Sequence, residues 1–494
     1  MSSFSFEEAT VSTVHAAIAS GELTFVALTD YYLRRIEAYD QQGPTLNALV
    51  SVNPRAREIA AEMDAEFART GIAGRSLLGI PVVLKDNYDT YDMRTTGAAE
   101  ALSTSTPPDD AFVVARLRAA GALIIAKSNL TELALGGTTV SSLGGQTRNP
   151  YDLSRTPGGS SGGTGVAVAA DFGLLGTGSD TGQSIRSPAS ANSLVGIRAT
   201  RGLVSRDGII PISFTQDEAG PIVRTVEDAA RMLDVMAGYD PADPITAFGV
   251  GHVPNSYTDF LDINGLGGAR IGLLEDLQGT AAVHEEVNAI VESSVEHMRR
   301  LGATVIPFRI PDFEAVSRDL TVQPFEFKVA FNRYLESLGS AAPVKSLAEF
   351  IASGGIYPPF RERYEQTQAL QDPLNDPEYR DRLLRHNALR QAVMTAMADN
   401  ELNAILYPHQ QRLVVPIGEE QVERNGVLSN STGFPALTFQ GGFSAPTEAA
   451  PIGVPIGIEL LGPAWSEPTL IRLAYAFEQD VQIRRRPAST PPLR

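Results

Sequence analysis

The sequence predicts an α/β fold with a largely parallel or mixed central sheet. Three observations carry that expectation. Apolar runs of strand length alternate with helical periodicity from about residue 70 onward. No internal repeat of fixed period is present. The chain has 494 residues, 43% hydrophobic and 20% charged, an ordinary globular composition able to build a sizeable core. Length alone would suggest roughly three domains of ~150 residues, but large single α/β domains are common enough to leave that prior weak.

The first 70 residues read as helices. Ser5 with Glu8 predicts a capping-box start for a segment running to about Ser20. Phe25, Leu28, Tyr32 and Ile36 recur at helical spacing, and the stretch from Pro54 to about Arg69 is rich in Ala and Glu. Gly79-Ile-Pro-Val-Val-Leu84 reads as a buried strand ending at Lys85. Asp110 to Ala120 is helical, and Ala122 to Ala126 is the next strand. Further strands are expected at Ala303–Ile306, Ala404–Tyr407, Pro435–Phe439 and Val454–Leu461, with helices over Val283–Leu301 and Glu467–Gln479. Residues 312–400 are helical, highly charged and broken by Pro358-Pro359 and Asp372-Pro373. They read as a surface layer or as a cap over an active site. The expected division is a helical segment at 1–75, a core at 76–310, a helical insertion at 311–400 and a completion of the sheet at 401–494.

Charge and composition exclude several functions. Forty Lys and Arg against 58 Asp and Glu leave a formal charge of −18, with no basic run, so neither nucleic acid nor an anionic membrane surface is an expected partner. Cysteine is absent, which removes disulfides, zinc–thiolate sites, iron–sulfur clusters and a Cys nucleophile. No stretch approaches the ~18 apolar residues that would span a bilayer. The N-terminus has neither a basic start nor an apolar run, so no signal peptide is read and a cytoplasmic protein is expected. No His or carboxylate cluster shows metal-ligand spacing, and neither a metal nor a cofactor is expected. Of the six histidines, only His409 stands where a Ser-His-Asp enzyme could use it; a core-packed or solvated His is the plainer reading.

The chemistry concentrates in Thr156-Pro-Gly-Gly-Ser-Ser-Gly-Gly-Thr-Gly165. A flexible linker is a poor reading, since an Ala/Val-rich helical segment follows at once. A phosphate-binding loop lacks its closing Lys-Ser/Thr pair. Gly158-Gly159-Ser160-Ser161-Gly162 matches G-x-S-x-G, but the polar, Pro-broken Asn149–Pro157 stands where a nucleophile elbow needs a strand. Twenty-four residues beyond Ser160, Ser184 follows a Gly-containing turn and opens a helical segment, a geometry that aims backbone N–H groups at one point. Lys85, at the edge of an apolar core, should lose its charge more readily than a solvated lysine and so be a competent base.

Together these segments resemble the amidase signature family. Pro157-Gly-Gly-Ser-Ser-Gly-Gly163 is similar to its first signature and Gly178-Ser-Asp-Thr-Gly-Gln-Ser-Ile-Arg-Ser-Pro188 to its second. Gly79-Ile-Pro-Val-Val-Leu-Lys-Asp86 resembles the segment that carries its lysine. The resemblance runs from about residue 5 to 480. It implies the amidase signature fold, a single large α/β domain with a mixed central β-sheet covered by helices, and a Ser–cis-Ser–Lys triad: Ser184 as nucleophile, Ser160 bridging it to Lys85, and a cis peptide joining Gly159 to Ser160. It further implies an oxyanion hole from the backbone N–H groups of Thr181, Gly182, Gln183 and Ser184. Ser161 would support the relay by hydrogen bonding, and Asp180 with Arg186 would fix the loop as an ion pair. The loop Ala134-Leu135-Gly136-Gly137 matches a segment that borders the acyl pocket; its small residues suggest either a roomy entrance or close backbone packing. One departure stands out. The family usually has Gly-Gly-Ser before the nucleophile, whereas this chain has Gly182-Gln183-Ser184. Gln183 would then donate only its N–H, or its side chain would enter the pocket and bind a polar substrate group.

The expected activity is hydrolysis of carboxylic amides through a Ser184 acyl-enzyme, without a cofactor; aryl amides, esters or carbamates could share the site. The expected partner is a small-molecule substrate, with a homodimer left open. The alternatives are a glutaminase-type subunit of an aminoacyl-tRNA amidotransferase, a silent binding protein, and an α/β-hydrolase built on Ser160 and His409.

Overall fold

Thirteen strands form in a computed structural model that describes residues 4–72 and 74–493. They are β1 (Leu49–Val52), β2 (Pro81–Lys85), β3 (Leu123–Ser128), β4 (Val140–Ser141), β5 (Gly145–Gln146), β6 (Leu175–Asp180), β7 (Val195–Arg198), β8 (Glu218–Val223), β9 (Arg270–Leu274), β10 (Thr304–Phe308), β11 (Ala404–Pro408), β12 (Ala436–Phe443) and β13 (Pro455–Leu461). Eleven of them join in one sheet, in the order β1-β3-β2-β6-β8-β7-β12-β13-β11-β9-β10, and β4 and β5 pair separately. The large sheet is mixed. β2 runs parallel to β3 and β6, and β9 parallel to β10 and β11, while β6, β8, β7, β12, β13 and β11 alternate in direction. Helices cover it, so the predicted α/β domain with a mixed central sheet is what forms.

Each expected strand appears, shifted by no more than a few residues. β2 and β3 are apolar because both faces are covered; every residue in them is buried. Strands β6 to β9 escape the apolar-run criterion. β6 is Leu-Gly-Thr-Gly-Ser-Asp, and its glycines have a reason: a Cβ at Gly176 would collide with Thr164 Cγ2 of the helix Gly162–Ala169 packed on it. The helices at Phe25–Tyr39, Ala56–Thr70, Phe112–Ala119, Glu285–Arg300 and Glu467–Val481 match their periodicity. The first helix starts later than Ser5 and Glu8 suggest. It spans Val11–Ser20 and is capped by Thr10, whose side chain accepts from Thr13 N, because Glu8 turns away with φ 56° and pairs with Arg484 instead.

Between residues 313 and 399 lie five α-helices: Phe313–Ser317, Gln323–Ser337, Leu347–Ser353, Arg361–Ala369 and Pro377–Asp399. Their apolar side is not a detached surface layer. Phe327, Phe331, Tyr334, Phe350 and Tyr364 form one cluster with Leu130, Leu133, Ala134, Leu135, Ile210 and Ile212 from the loops beyond β3 and β7. Polar contacts reinforce the seam. Tyr334 donates to Asp89 at 2.8 Å, and Glu132 accepts from Tyr364 at 3.0 Å and from Tyr357 N at 2.9 Å.

Candidate active site

The sheet brings three distant sequence segments to the C-terminal ends of β2 and β6. Lys85 closes β2, is fully buried, and donates its backbone N–H to Thr177 Oγ1 on β6 at 3.0 Å. Its Nζ donates to Ser160 Oγ at 2.8 Å, to Ser179 Oγ at 2.9 Å and to Ser179 O at 3.2 Å. All of these acceptors are neutral. Burial therefore dominates and pushes the lysine pKa down to about 7, against the opposing pull of Asp180 and Asp217.

Ser160 sits in the Gly-rich turn that opens the helix Gly162–Ala169, after a cis peptide bond between Gly159 and Ser160. Gly158 has φ 72°, and a Cβ there would lie 2.8 Å from the Ser187 carbonyl, so that turn position accepts only glycine. The Ser160 carbonyl accepts from Thr131 N at 3.1 Å. Ser161 N donates to Ser184 O at 3.3 Å and Ser161 Oγ to Ser179 O at 3.4 Å, which ties the two serine loops together.

Ser184 is buried, and its Oγ makes no hydrogen bond, to Ser160 or to any other group, among the described residues; the two serine loops meet through Ser161 N and Ser184 O. The N–H groups of Thr181, Gly182, Gln183 and Ser184 take no acceptor among the described residues either. Their carbonyls are held from the other side: Gly182 O accepts from Arg186 Nη2 at 2.7 Å and from Asn430 Nδ2 at 3.2 Å. Asp180 accepts from Ile185 N at 3.1 Å and forms ion pairs with Arg186 at 3.0 Å and Arg198 at 3.1 Å, all three side chains fully buried. Arg186 in turn reaches Glu459 of β13 at 2.7 Å. The two guanidiniums hold Asp180 well below the usual carboxylate range, and Arg186 does the same for Glu459.

A small chamber of about 20 Å³ adjoins the site, lined in part by Ala134, Ser179, Thr181, Asp217 and Glu218. Both carboxyl oxygens of Glu218 are buried without a hydrogen-bond partner, and burial raises its pKa to about 7. On the outer side, a cavity of about 320 Å³ is lined by Leu135, Gln323, Phe327, Arg363 and Tyr364.

The Ala134–Gly137 loop is divided: Ala134 lines the small chamber and Leu135 the larger cavity, while the two glycines serve close packing. A Cβ at Gly136 would lie 2.8 Å from Thr131 Cγ2, and one at Gly137 would collide with Arg424 Nη1. The Gln183 side chain turns toward Arg424. Oriented so that both groups are satisfied, its carboxamide oxygen accepts from Arg424 Nε at 2.5 Å and Nη1 at 2.8 Å.

Ser179, Thr131, Arg198, Glu459 and Arg424 are contributors that sequence reasoning missed. Ser179 lies inside the second signature segment and was within reach; nothing local marks Arg424. His409 is fully buried, with Nδ1 at 2.7 Å from Glu459, and makes no hydrogen bond to either serine. The segment before Ser160 forms no strand, so the elbow geometry is missing as well. Among the described residues, no group of three or more His, Asp and Glu side chains converges as a metal site, and no helix is long and apolar enough to cross a membrane.

Comparison with known proteins agrees with this geometry. Residues 27–471 match the family model described as Amidase. A probable amidase of Arabidopsis thaliana is 34% identical, with the match covering 98% of this chain and 92% of that protein. A glutamyl-tRNA(Gln) amidotransferase subunit from Moorella thermoacetica is 36% identical over 94% of this chain and 95% of that protein. The structure of native peptide amidase from Stenotrophomonas maltophilia superposes with a TM-score of 0.90 at 38% identity, over 99% of this chain and all of that one.

Proposed function

The chain belongs to the amidase family, and on that premise we propose that it hydrolyses carboxylic amides through an acyl-enzyme on Ser184. The observation that carries the reading is the Lys85 Nζ–Ser160 Oγ hydrogen bond of 2.8 Å, made by a buried amine that has no carboxylate partner. A serine hydroxyl is a weak nucleophile until a base takes its proton. Ser184 Oγ passes its proton to Ser160 Oγ, which hands its own to neutral Lys85; the freed oxygen attacks the amide carbon. This needs the Ser184 hydroxyl to swing onto Ser160, a contact that substrate binding tightens. The unused N–H groups of residues 181–184 receive the developing oxyanion, each worth ~3 kcal/mol by analogy with other acyl-transfer sites. Collapse breaks the C–N bond, and the relay runs backward to protonate the departing amine. Water, deprotonated by the same relay, then cleaves the ester.

Asp180, Arg186 and Arg198 keep the oxyanion loop in place and touch no substrate. The peptide amidase neighbour makes peptide-like amides the first substrates to try. Incubation with a fluorophosphonate, followed by peptide mapping, should place the label on Ser184, and Ser184→Ala should abolish both labelling and amide hydrolysis. A label on Ser160, or full hydrolysis by Ser184→Ala, overturns the reading. The identity to amidotransferase subunits favours a second reading, a glutaminase that works only beside a partner. Turnover of simple amides by the isolated chain rejects it.

A further inference from the structure

Gln183 is the residue at which this chain departs from the pattern it otherwise resembles, and the structure gives that departure a partner. We propose that Arg424, steered by Gln183, is a specificity residue that receives an anionic group of the substrate, so that the preferred amides carry a carboxylate close to the scissile bond. The proposal rests on the amide-hydrolase reading and names its substrate class.

Position comes first. Gln183 immediately precedes Ser184, and its carboxamide oxygen engages Arg424 Nε and Nη1. The same guanidinium lies against Gly137, where a side chain has no room. Gly137 in turn packs on Gly159: a Cβ at Gly159 would lie 2.7 Å from the Gly137 carbonyl carbon. Arg424 thus lies between the Ser184 loop and the Gly137 loop, which itself backs onto the turn that carries Ser160.

Charge comes second. The fully buried arginines Arg186, Arg198 and Arg224 each contact a carboxylate of this chain, and Arg35, which has none, spends Nε, Nη1 and Nη2 on backbone carbonyls. Arg424 forms no ion pair among the described residues, although the protein has 58 acidic side chains. Its neighbour Glu423 is spent on His284 at 3.3 Å and Arg412 at 3.7 Å. Asp180 is committed to Arg186 and Arg198. A second cation, Arg363, stands on the same rim, donating Nη1 to Leu135 O at 2.5 Å and likewise without an ion pair among the described residues. Burial lowers the Arg424 pKa most; Glu420 pulls it back up, and the charge of Arg363 lowers it again. Two like charges near each other, neither in ion-pair contact with a carboxylate of the described residues, are stabilised when a carboxylate arrives, and a guanidinium whose Nη2 makes no hydrogen bond offers it planar, directional donors. Gln183 leaves that edge open because it is neutral; an acid in its place would close the site from within.

The test uses a neutral aliphatic amide, its isostere with a carboxylate ending the acyl part, and a third amide carrying the carboxylate on the amine. Wild type should favour one charged amide over the neutral one, and the favoured arm says which half Arg424 faces. Arg424→Gln should lower that specificity ratio in kcat/KM at least ~10-fold, chiefly through KM, as expected for one lost charged hydrogen bond. Arg424→Lys should restore part of it, and thermal unfolding of each variant checks that the fold survives. A wild type indifferent to the carboxylate, or an unchanged ratio in Arg424→Gln, overturns the inference and leaves the amidase reading standing. Failure of wild type on all three amides, with no label at Ser184, overturns both.

Discussion

Two lysines stand at the same end of neighbouring parallel strands, and they are a natural experiment in what burial does to an amine. Lys85 closes β2 and Lys127 lies beside it on β3, paired in register with Leu84. Both are fully buried, and burial lowers the pKa of both. Their company differs. Lys127 contacts Asp86 at 3.2 Å and donates to Thr95 Oγ1 at 2.8 Å and Arg94 O at 2.9 Å. Lys85 has only neutral oxygens within hydrogen-bonding reach, with Asp180 and Asp217 acting on it from farther away. An ion pair fixes a proton in place, whereas an amine among hydroxyls can give and take one. Burial alone does not make a base; burial without a counter-ion does.

Replacing each amine by an isosteric apolar chain is the sharpest way to break that comparison. Lys85→Met should cost ~10²–10⁴-fold in kcat with the fold intact, since it removes the proposed base. Lys127→Met should do the reverse: it strands Asp86 in the core and costs about 3–5 kcal/mol of stability, read by denaturant unfolding. Equal losses of activity from both would erase the distinction. The pH profile comes next. Lys85 works as the neutral amine, so kcat/KM should fall about tenfold per pH unit below its value of about 7 and level off above it. A profile flat between about pH 5 and 9, with chemistry rate-limiting, removes Lys85 as base. The smallest effect is expected from Gln183→Gly, which keeps the backbone N–H; it should shift substrate preference a few-fold without preventing the fluorophosphonate adduct.

The same lysines show how far the sequence was legible. Val-Val-Leu-Lys85 and Ile-Ile-Ala-Lys127 are alike as text: a cation after an apolar strand. Only resemblance separated them, because the discriminating feature, Asp86 reaching across to β3, is a tertiary contact. The glycine-rich turns were readable, since their residues are dictated by local crowding at Gly158 and by the helix packed on β6. β6 itself was hidden by the same glycines. Arg424 was invisible because its meaning depends on Gln183, 241 positions earlier in the chain, and Glu459 because a carboxylate in an apolar strand has no local signature. The charged helices of 313–399 were visible as helices, but not the aromatic seam that fastens them to the loops around the site.

The Asp180–Arg186–Glu459 chain of charges behind the oxyanion loop has a practical corollary. Carboxyls held that low in the folded state keep stabilising it as acid is added, until pH drops through their depressed values; the Lys85 amine is already switched off once pH passes below about 7. Mildly acidic solution should therefore idle the chemistry while the scaffold stands. An unmodified amide diffused into crystals near pH 5 should stay whole in its cradle, and raising the pH should start the reaction in place.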